Sequence, residues 1–284
     1  MESVFAILIV LSGAATFAAL FGAALRLGPE SLRRVAEHPR LFLRMLAVIW
    51  IAIPLFTALV IFALGVVGTS ASLLLLMSVC PALPNLLTWA RIARSSVMTA
   101  FVALLVTAAT EPFMIPYWTR LLSKFLPMDV TVQPSHVLIV VVPTVFLPIA
   151  LGFLVQKISF RAAAVLARVS DFIDLAGTIA TIAVILYEGL PRLIYVPPVA
   201  FVALVIITFG YSAFGFWAAR PNLDEQKAIA AAAALGNPAL ALVIVEVSYL
   251  ELQAAVLVSI YIVVRAITMA PLIWWLRYLK RGRS

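Results

Sequence analysis

Apolar stretches that are each long enough to cross a lipid bilayer follow one another along almost the whole chain. A transmembrane helix needs about 20 predominantly apolar residues. We predict nine such helices, with boundaries uncertain by about 2–4 residues. They span about 3–26, 41–64, 70–90, 96–118, 135–156, 173–190, 196–218, 227–249 and 252–276. The pattern predicts an all-α polytopic membrane protein that forms one transmembrane domain over 1–284.

Composition excludes a soluble enzyme. Hydrophobic residues make up 65% of the chain and charged residues 11%, whereas a soluble domain carries about 25% charged residues. The sequence holds no His-Glu-x-x-His, Gly-x-Ser-x-Gly or Walker motif. Its single cysteine, Cys80, excludes an intrachain disulfide and a cysteine-based metal cage. We therefore expect a protein that is not an enzyme, with no metal and no cofactor, although sodium stays open.

The basic residues predict the orientation of the chain in the membrane. The net charge is +8, but Lys and Arg lie in short loops beside apolar spans, which indicates membrane topology rather than nucleic-acid binding. With the N-terminus outside, 16 of the 20 basic residues fall in inner loops and 3 in outer loops. This asymmetry predicts the N-terminus outside and the C-terminus in the cytoplasm. We expect the protein in the cell membrane, specifically in a bacterial inner membrane.

The eighth predicted span contains a candidate helix break. Five alanines, 230–234, favour a helix, and Gly236, Asn237 and Pro238 follow within an apolar run. Proline has no N–H and clashes with the preceding turn, while glycine is permissive. The segment by itself allows two readings, which are a plain proline kink and a true break with freed backbone groups and the Asn237 amide beside a cavity.

A second candidate break lies in the third predicted span. Pro81 and Pro84 interrupt that span, and Asn85 follows directly. Interrupted spans at matching places in two halves of a chain indicate the binding site of a secondary transporter. The third and eighth spans run in opposite directions in the predicted topology, as inverted repeats require, and half-helix N-termini suit an anion. The predicted substrate-binding residues include Pro84, Asn85, Gly236, Asn237 and Pro238.

One basic residue, Arg265, lies about midway along the last predicted span. A charge at that depth costs roughly 2.5–3.5 kcal/mol, so it needs a partner or a function. Two interpretations stay open, namely substrate binding and a structural ion pair with Glu246 or Glu111. Asp171 and Asp174 are expected at the membrane interface, and the stretch 160–169 is either an interfacial segment or a solvated linker.

Five segments in order resemble the bile acid:sodium symporter family along nearly the whole chain. They are RLGPESLRRVAEHPR (26–40), CPALPNLLTWAR (80–91), EPFMIP (111–116), VVVPTVFLPIALGFLVQK (140–157) and DEQKAIAAAAALGNPALAL (224–242). The resemblance implies crossing broken helices in a core, about 41–118 and 196–276, and a moving panel, about 3–26, 135–156 and 173–190. It also implies symport of an organic anion, such as a sterol conjugate or a small carboxylate, with sodium.

The sequence departs from this family at the sodium ligands that the resemblance implies. The family's Glu and Gln in the eighth span fall on Ala232 and Gly236, which carry no side-chain oxygen. Ser95 and Thr99 have the spacing of the family's Ser and Thr ligands, but counting back from Pro112 places apolar residues there. Weak candidates for ion binding are therefore Ser95, Thr99, Glu246 and Glu111. We expect that coupling to two sodium ions is lost.

The sequence thus predicts a secondary transporter that moves a small organic anion across the lipid bilayer by alternating access, with no nucleic-acid partner and an unspecified oligomeric state. Two alternatives remain. One is an anion carrier that is coupled to protons or uncoupled, and the other is a non-transporting sensor or assembly protein that keeps the same fold.

Overall fold

The computed structural model describes residues 2–81, 86–122, 124, 132–189, 197–237, 240–241 and 252–279. Within these ranges all regular structure is helical. The helices are α1 (Glu2–Leu27), α2 (Arg33–Glu37), α3 (Pro39–Ala47), α4 (Ile53–Leu64), α5 (Gly68–Ser78), α6 (Leu86–Ile92), α7 (Val97–Leu122), α8 (Pro134–Val141), α9 (Leu147–Ile158), α10 (Phe160–Gly189), α11 (Pro198–Ala218), α12 (Leu223–Ala234) and α13 (Leu252–Tyr278). Single π-helical turns join α3 to α4 and α8 to α9.

Four helical stretches among the described residues have the length and hydropathy of membrane spans. They are Pro39–Leu64, Val97–Leu122, Val137–Ile158 and Pro198–Ala218. Two apolar helical segments are shorter, Gly13–Leu27 and Gly68–Ser78. These helices support a polytopic, helical membrane protein. The number nine and the inverted repeat stay predictions.

The start of α10 corrects one sequence expectation. A solvated linker was one reading of 160–169, and the sixth span was placed at 173–190, but one helix runs from Phe160 to Gly189. Its alanine-rich beginning favours a helix, and the Ser159 hydroxyl accepts a hydrogen bond from the Ala162 N–H at 3.3 Å, as an N-cap does. The linker reading is therefore wrong, because hydropathy locates the apolar part of a helix and not its polar extension.

Small residues let α1, α9 and α10 pack closely along one another. A Cβ atom added at Gly22 of α1 would lie 2.9 Å from the Ser170 Cβ of α10, and one at Gly152 of α9 would lie 2.6 Å from the Ala24 Cβ. Real Cβ atoms essentially never come within 3.0 Å of such neighbours, so both positions require glycine or a shift of the helices. Since lipid offers no hydrophobic drive between helices, this close fit contributes the van der Waals contact that holds the three helices together.

The two predicted interrupted spans lie in the interior. Every residue of α12 from Glu225 to Ala234 is buried, and so is every residue of α5 from Ser70 to Ser78. In contrast, α3 and α4 expose large apolar side chains such as Leu43, Leu55 and Phe62, which suits a surface that faces lipid. The helix ends at 78 and 234 are therefore surrounded by protein.

Candidate functional site

The third predicted span is broken after α5. That helix ends at Ser78, and Val79, Cys80 and Pro81 lie outside any helix before α6 begins at Leu86. Proline at 81 has no N–H to donate to the turn before it, which favours ending the helix there. Pro84 and Asn85 lie outside the described residues, so the predicted approach of Asn85 to Asn237 stays a prediction.

The eighth predicted span is also broken, and the reading as a plain proline kink is wrong. Helix α12 ends at Ala234, residues 235–237 are not helical, and helical backbone resumes at 240–241. The Asn237 side-chain oxygen accepts a hydrogen bond from the Leu240 N–H at 3.1 Å. Asn237 therefore caps the helical residues that follow it, as asparagine does at helix N-termini. Pro238 lies outside the described residues.

The two breaks contact each other through their backbones. The Asn237 N–H donates a hydrogen bond to the Cys80 carbonyl oxygen. A Cβ atom added at Gly236 would lie 3.1 Å from that oxygen and 3.3 Å from the Met77 carbonyl oxygen. Backbone groups freed inside a membrane protein need such partners. The crossing is thus stabilised by a bond between the breaks, and glycine at 236 permits their close approach.

Arg265 of α13 lies beside this crossing. It is 5% exposed, and its Nη1 atom would lie 2.5 Å from a Cβ atom at Gly236. Its guanidinium carbon is 5.2 Å from the centroid of the Tyr211 ring, within cation–π range. Within the described part of the chain, its Nε and Nη1 atoms have no hydrogen-bond partner. The guanidinium therefore presents unused donors at the contact between the breaks.

Tyr211 is a site residue that the sequence analysis missed. It is buried in α11, and its hydroxyl shares a hydrogen bond with the Thr57 hydroxyl of α4. Thr57 in turn donates to the Ile53 carbonyl oxygen at 2.8 Å. The available signal was a tyrosine with Thr208 and Ser212 on one face of an apolar span. This bond fixes the ring that lies under the Arg265 guanidinium.

The sequence offered two carboxylates, Glu246 and Glu111, as ion-pair partners of Arg265. Glu246 lies outside the described residues. Glu111 is fully buried in α7 and lies within electrostatic range of Cys80. No ion pair between Arg265 and a carboxylate is found among the described residues, and the guanidinium carbon lies 5.2 Å from the Tyr211 ring centroid. The described structure therefore pairs the guanidinium with an aromatic ring and not with a carboxylate.

Ser95 and Thr99 are not brought to the breaks. The Ser95 hydroxyl donates to the Ala90 carbonyl oxygen at 3.0 Å. The Thr99 hydroxyl accepts from Arg34 at 3.2 Å, and Arg34 pairs at 2.6 Å with Glu225 in the first turn of α12. Helix α12 runs from this first turn to the break at its other end, about 15 Å away at 1.5 Å per residue. The Thr99 hydroxyl therefore belongs to a polar cluster at the ends of the helices, and the Ser95 hydroxyl is bonded to the backbone of α6.

Comparison with protein families identifies the chain. The model of the Sodium Bile acid symporter family matches residues 15–196, which is more than half of the 284 residues. The matched range includes the first helix break and ends before the second. A comparison with curated proteins finds no match. The chain therefore belongs to the sodium bile acid symporter family and is a membrane transporter of the bile acid symporter type.

Proposed function

We propose that this protein is a secondary transporter that carries an organic anion by alternating access, and that Arg265 binds the anion at the crossing of the two helix breaks. The observation that carries the proposal is a buried guanidinium whose Nε and Nη1 donors have no hydrogen-bond partner in the described structure. A buried donor left unsatisfied costs about 1–3 kcal/mol. An anionic ligand would satisfy these donors and balance the charge.

Carboxylates and sulfonates are the ligand groups that fit best. The guanidinium is always protonated and binds two oxygens of one oxyanion through two parallel hydrogen bonds, which lysine does not reproduce. The Arg265 guanidinium carbon lies 5.2 Å from the Tyr211 ring centroid, and a ring offers no lone pair that would use up the Nε and Nη1 donors. The ligand class therefore follows from the shape and the permanent charge of Arg265.

The position of Arg265 supports transport without sodium. The resemblance implies that residue 236 supplies a sodium ligand in relatives, but here it is glycine. The Arg265 Nη1 atom lies 2.5 Å from the position that a Cβ atom at 236 would take. At the other implied ligand position, Ala232 is buried and carries only a methyl group. A fixed cation thus stands close to where the family's bound cation is expected, which makes a sodium ion unnecessary for holding an anion.

The motion follows the division into panel and core. In this proposal the panel consists of α1, α8, α9 and α10, of which α1, α9 and α10 pack on one another, and it moves against the remaining helices. The anion is then exposed alternately to the two sides, with the N-terminus outside and the C-terminus in the cytoplasm.

Proton coupling is a second candidate, and one observation favours it. Glu111 is a fully buried carboxyl group on α7 near Cys80, whose carbonyl bonds the second break. Carboxyl groups inside membrane proteins are the side chains that relay protons in pumps and transporters. If Glu111 couples protons to transport, Glu111→Gln abolishes uptake driven by an imposed pH gradient and preserves anion exchange. Loss of exchange as well would contradict this role.

The main test uses purified protein in detergent and in proteoliposomes. Taurocholate, cholate and pyruvate are tested by thermal shift, since a ligand of the native state raises its apparent stability, and then as labelled substrates for uptake. Arg265→Lys should weaken anion binding by about tenfold or more, because hydrogen bonds to charged groups contribute about 1.5–3 kcal/mol. Arg33→Lys is the matched control, since Arg33 is exposed and pairs with Glu37 along its own helix.

Arg265→Gln separates this role from a structural one. A structural ion pair that loses its cation strands a buried carboxylate and costs about 3–5 kcal/mol of stability. Removing that carboxylate should then restore stability. Such a rescue, together with unchanged anion binding in Arg265→Lys, would refute the proposal.

A further inference from the structure

A second group of charged and polar side chains joins α10 to α1 and α6. The Asp171 carboxylate of α10 lies between two arginines, one from each neighbouring helix. It accepts a hydrogen bond from the Arg26 guanidinium of α1 and lies 3.1 Å from the Arg91 Nη1 atom of α6. Arg26 also donates to the Ala167 carbonyl oxygen of α10 at 2.8 Å. One carboxylate therefore connects three helices.

Asp174, one turn along α10, extends this connection into the interior. It is 6% exposed. One of its oxygens accepts from the Thr88 hydroxyl of α6 at 3.0 Å, and the other accepts from the Thr178 hydroxyl of α10 at 3.3 Å. Because residues three apart lie on one helix face, Asp171 and Asp174 form a matched pair with Arg91 and Thr88.

Helix α6 is the half-helix that follows the first break, so these contacts hold an element of the candidate site. We define the latch as Arg26, Thr88, Arg91, Asp171 and Asp174. The Arg26–Asp171 pair joins α1 to α10, which pack lengthwise on each other. The Arg91–Asp171 and Thr88–Asp174 contacts instead cross from that pair of helices to α6. Of the latch contacts, these crossing ones must break if α1 and α10 move relative to α6.

We propose that the latch is a gate that closes one side of the transport path and opens once in each cycle. This proposal rests on the proposed function, because a gate has a use only if the crossing of the breaks is exposed alternately to the two sides. Arg26 and Arg91 flank loops that the charge distribution predicts to be cytoplasmic. The latch is therefore the inner gate.

The strength of the contacts suits a gate. The side chains of Arg91 and Asp171 are 38% and 44% exposed, and pairs with that exposure are weak. The Thr88–Asp174 hydrogen bond is more buried and keeps the helices aligned. Contacts of this kind bias an equilibrium between closed and open states without locking it.

The native Cys80 thiol reports on this gate. Cys80 is the only cysteine in the sequence, it is fully buried, and its carbonyl accepts the bond from the second break. In detergent, the charged thiol reagent MTSES should modify Cys80 slowly in the wild-type protein. In Thr88→Val/Arg91→Ala, which loses both crossing contacts, the rate should rise about fivefold, as a shift of about 1 kcal/mol in the closed–open equilibrium gives.

Two matched variants make the result specific. Thr88→Ser/Arg91→Lys keeps the hydroxyl and the positive charge and should react at close to the wild-type rate. Arg33→Ala removes an exposed arginine whose ion pair lies within α2 and should have no effect. If the double variant does not fold, Arg91→Ala alone is used, since Arg91 is partly exposed.

An unchanged Cys80 rate in a folded variant without the crossing contacts overturns the latch. An equal rise in Arg33→Ala also overturns it, because the change would then be a general loosening. The assay contains no transported anion. Its failure therefore leaves the role of Arg265 standing, and a failure of anion binding at Arg265 leaves the labelling result unaffected.

Discussion

Substituting Gly236 by alanine tests the geometry of the crossing most directly, since it adds one methyl group and changes no charge. The added Cβ atom would lie 2.5 Å from the Arg265 Nη1 atom, 3.1 Å from the Cys80 carbonyl oxygen and 3.3 Å from the Met77 carbonyl oxygen. Ordinary contacts of a Cβ atom begin at 3.4 Å. The guanidinium must therefore move by about 0.9 Å, and the two carbonyls by a few tenths of an ångström.

Gly236→Ala should reduce both the stability of the protein and its affinity for the anion. An extra methyl group in a packed interior costs about 1–3 kcal/mol, and here the backbone contacts with Cys80 and Met77 contribute to it. Displacing the flexible end of Arg265 costs little stability, but it misaligns the group that binds the anion. A misplacement of about 1 Å can reduce the efficiency of an aligned group by about 100-fold. We expect Gly236→Ala to lose about 1–3 kcal/mol of stability and at least tenfold in anion affinity.

The assay is unfolding by SDS in mixed micelles, with thermal shift for taurocholate, cholate and pyruvate. Gly13→Ala is the control, because a Cβ atom at Gly13 would have nothing within 4 Å and alanine favours a helix. A double-mutant cycle with Arg265→Ala isolates the contact between the two residues. The cost of Gly236→Ala should fall when the guanidinium is absent. An equal cost in both backgrounds, or none in either, would refute the proposed approach of Arg265 to the break.

Three further predictions follow from the described contacts. Thr57→Val should lose about 0.5–1.5 kcal/mol of stability, because the buried Tyr211 hydroxyl loses its Thr57 partner and keeps its hydrogen bond with Ser78. An unchanged midpoint of SDS unfolding would contradict the bond between Thr57 and Tyr211. Gly152→Ala should lose about 1–3 kcal/mol of stability because its added methyl group meets Ala24, whereas Gly13→Ala should not. An unchanged midpoint of SDS unfolding for Gly152→Ala would argue against close packing of α9 on α1. Anion uptake should proceed at the same rate when choline replaces sodium at constant ionic strength. The reason is that Ala232 and Gly236, which align with the implied carboxylate and amide ligands, carry no side-chain oxygen. Strict sodium dependence of uptake would show that other oxygens rebuild the sodium site.

Local chemistry explains what was predictable here. Long apolar runs and the helix propensity of alanine depend on neighbouring residues only, as do the breaks near Pro81 and Gly236. The sequence therefore predicted a helical membrane protein, the family and both interruptions. It also singled out Arg265, because a charge deep in an apolar span needs a partner or a function whatever the fold.

Only the tertiary structure decided what those residues contact. The bond between Asn237 and Cys80, the Tyr211 ring under Arg265 and the pairing of Asp171 with Arg91 join residues far apart in the chain. No periodicity or propensity encodes such pairs, because they depend on how whole helices cross and on which small residues allow a close approach. The chain thus determines locally where its helices stop, and the packing of the helices decides which freed groups meet.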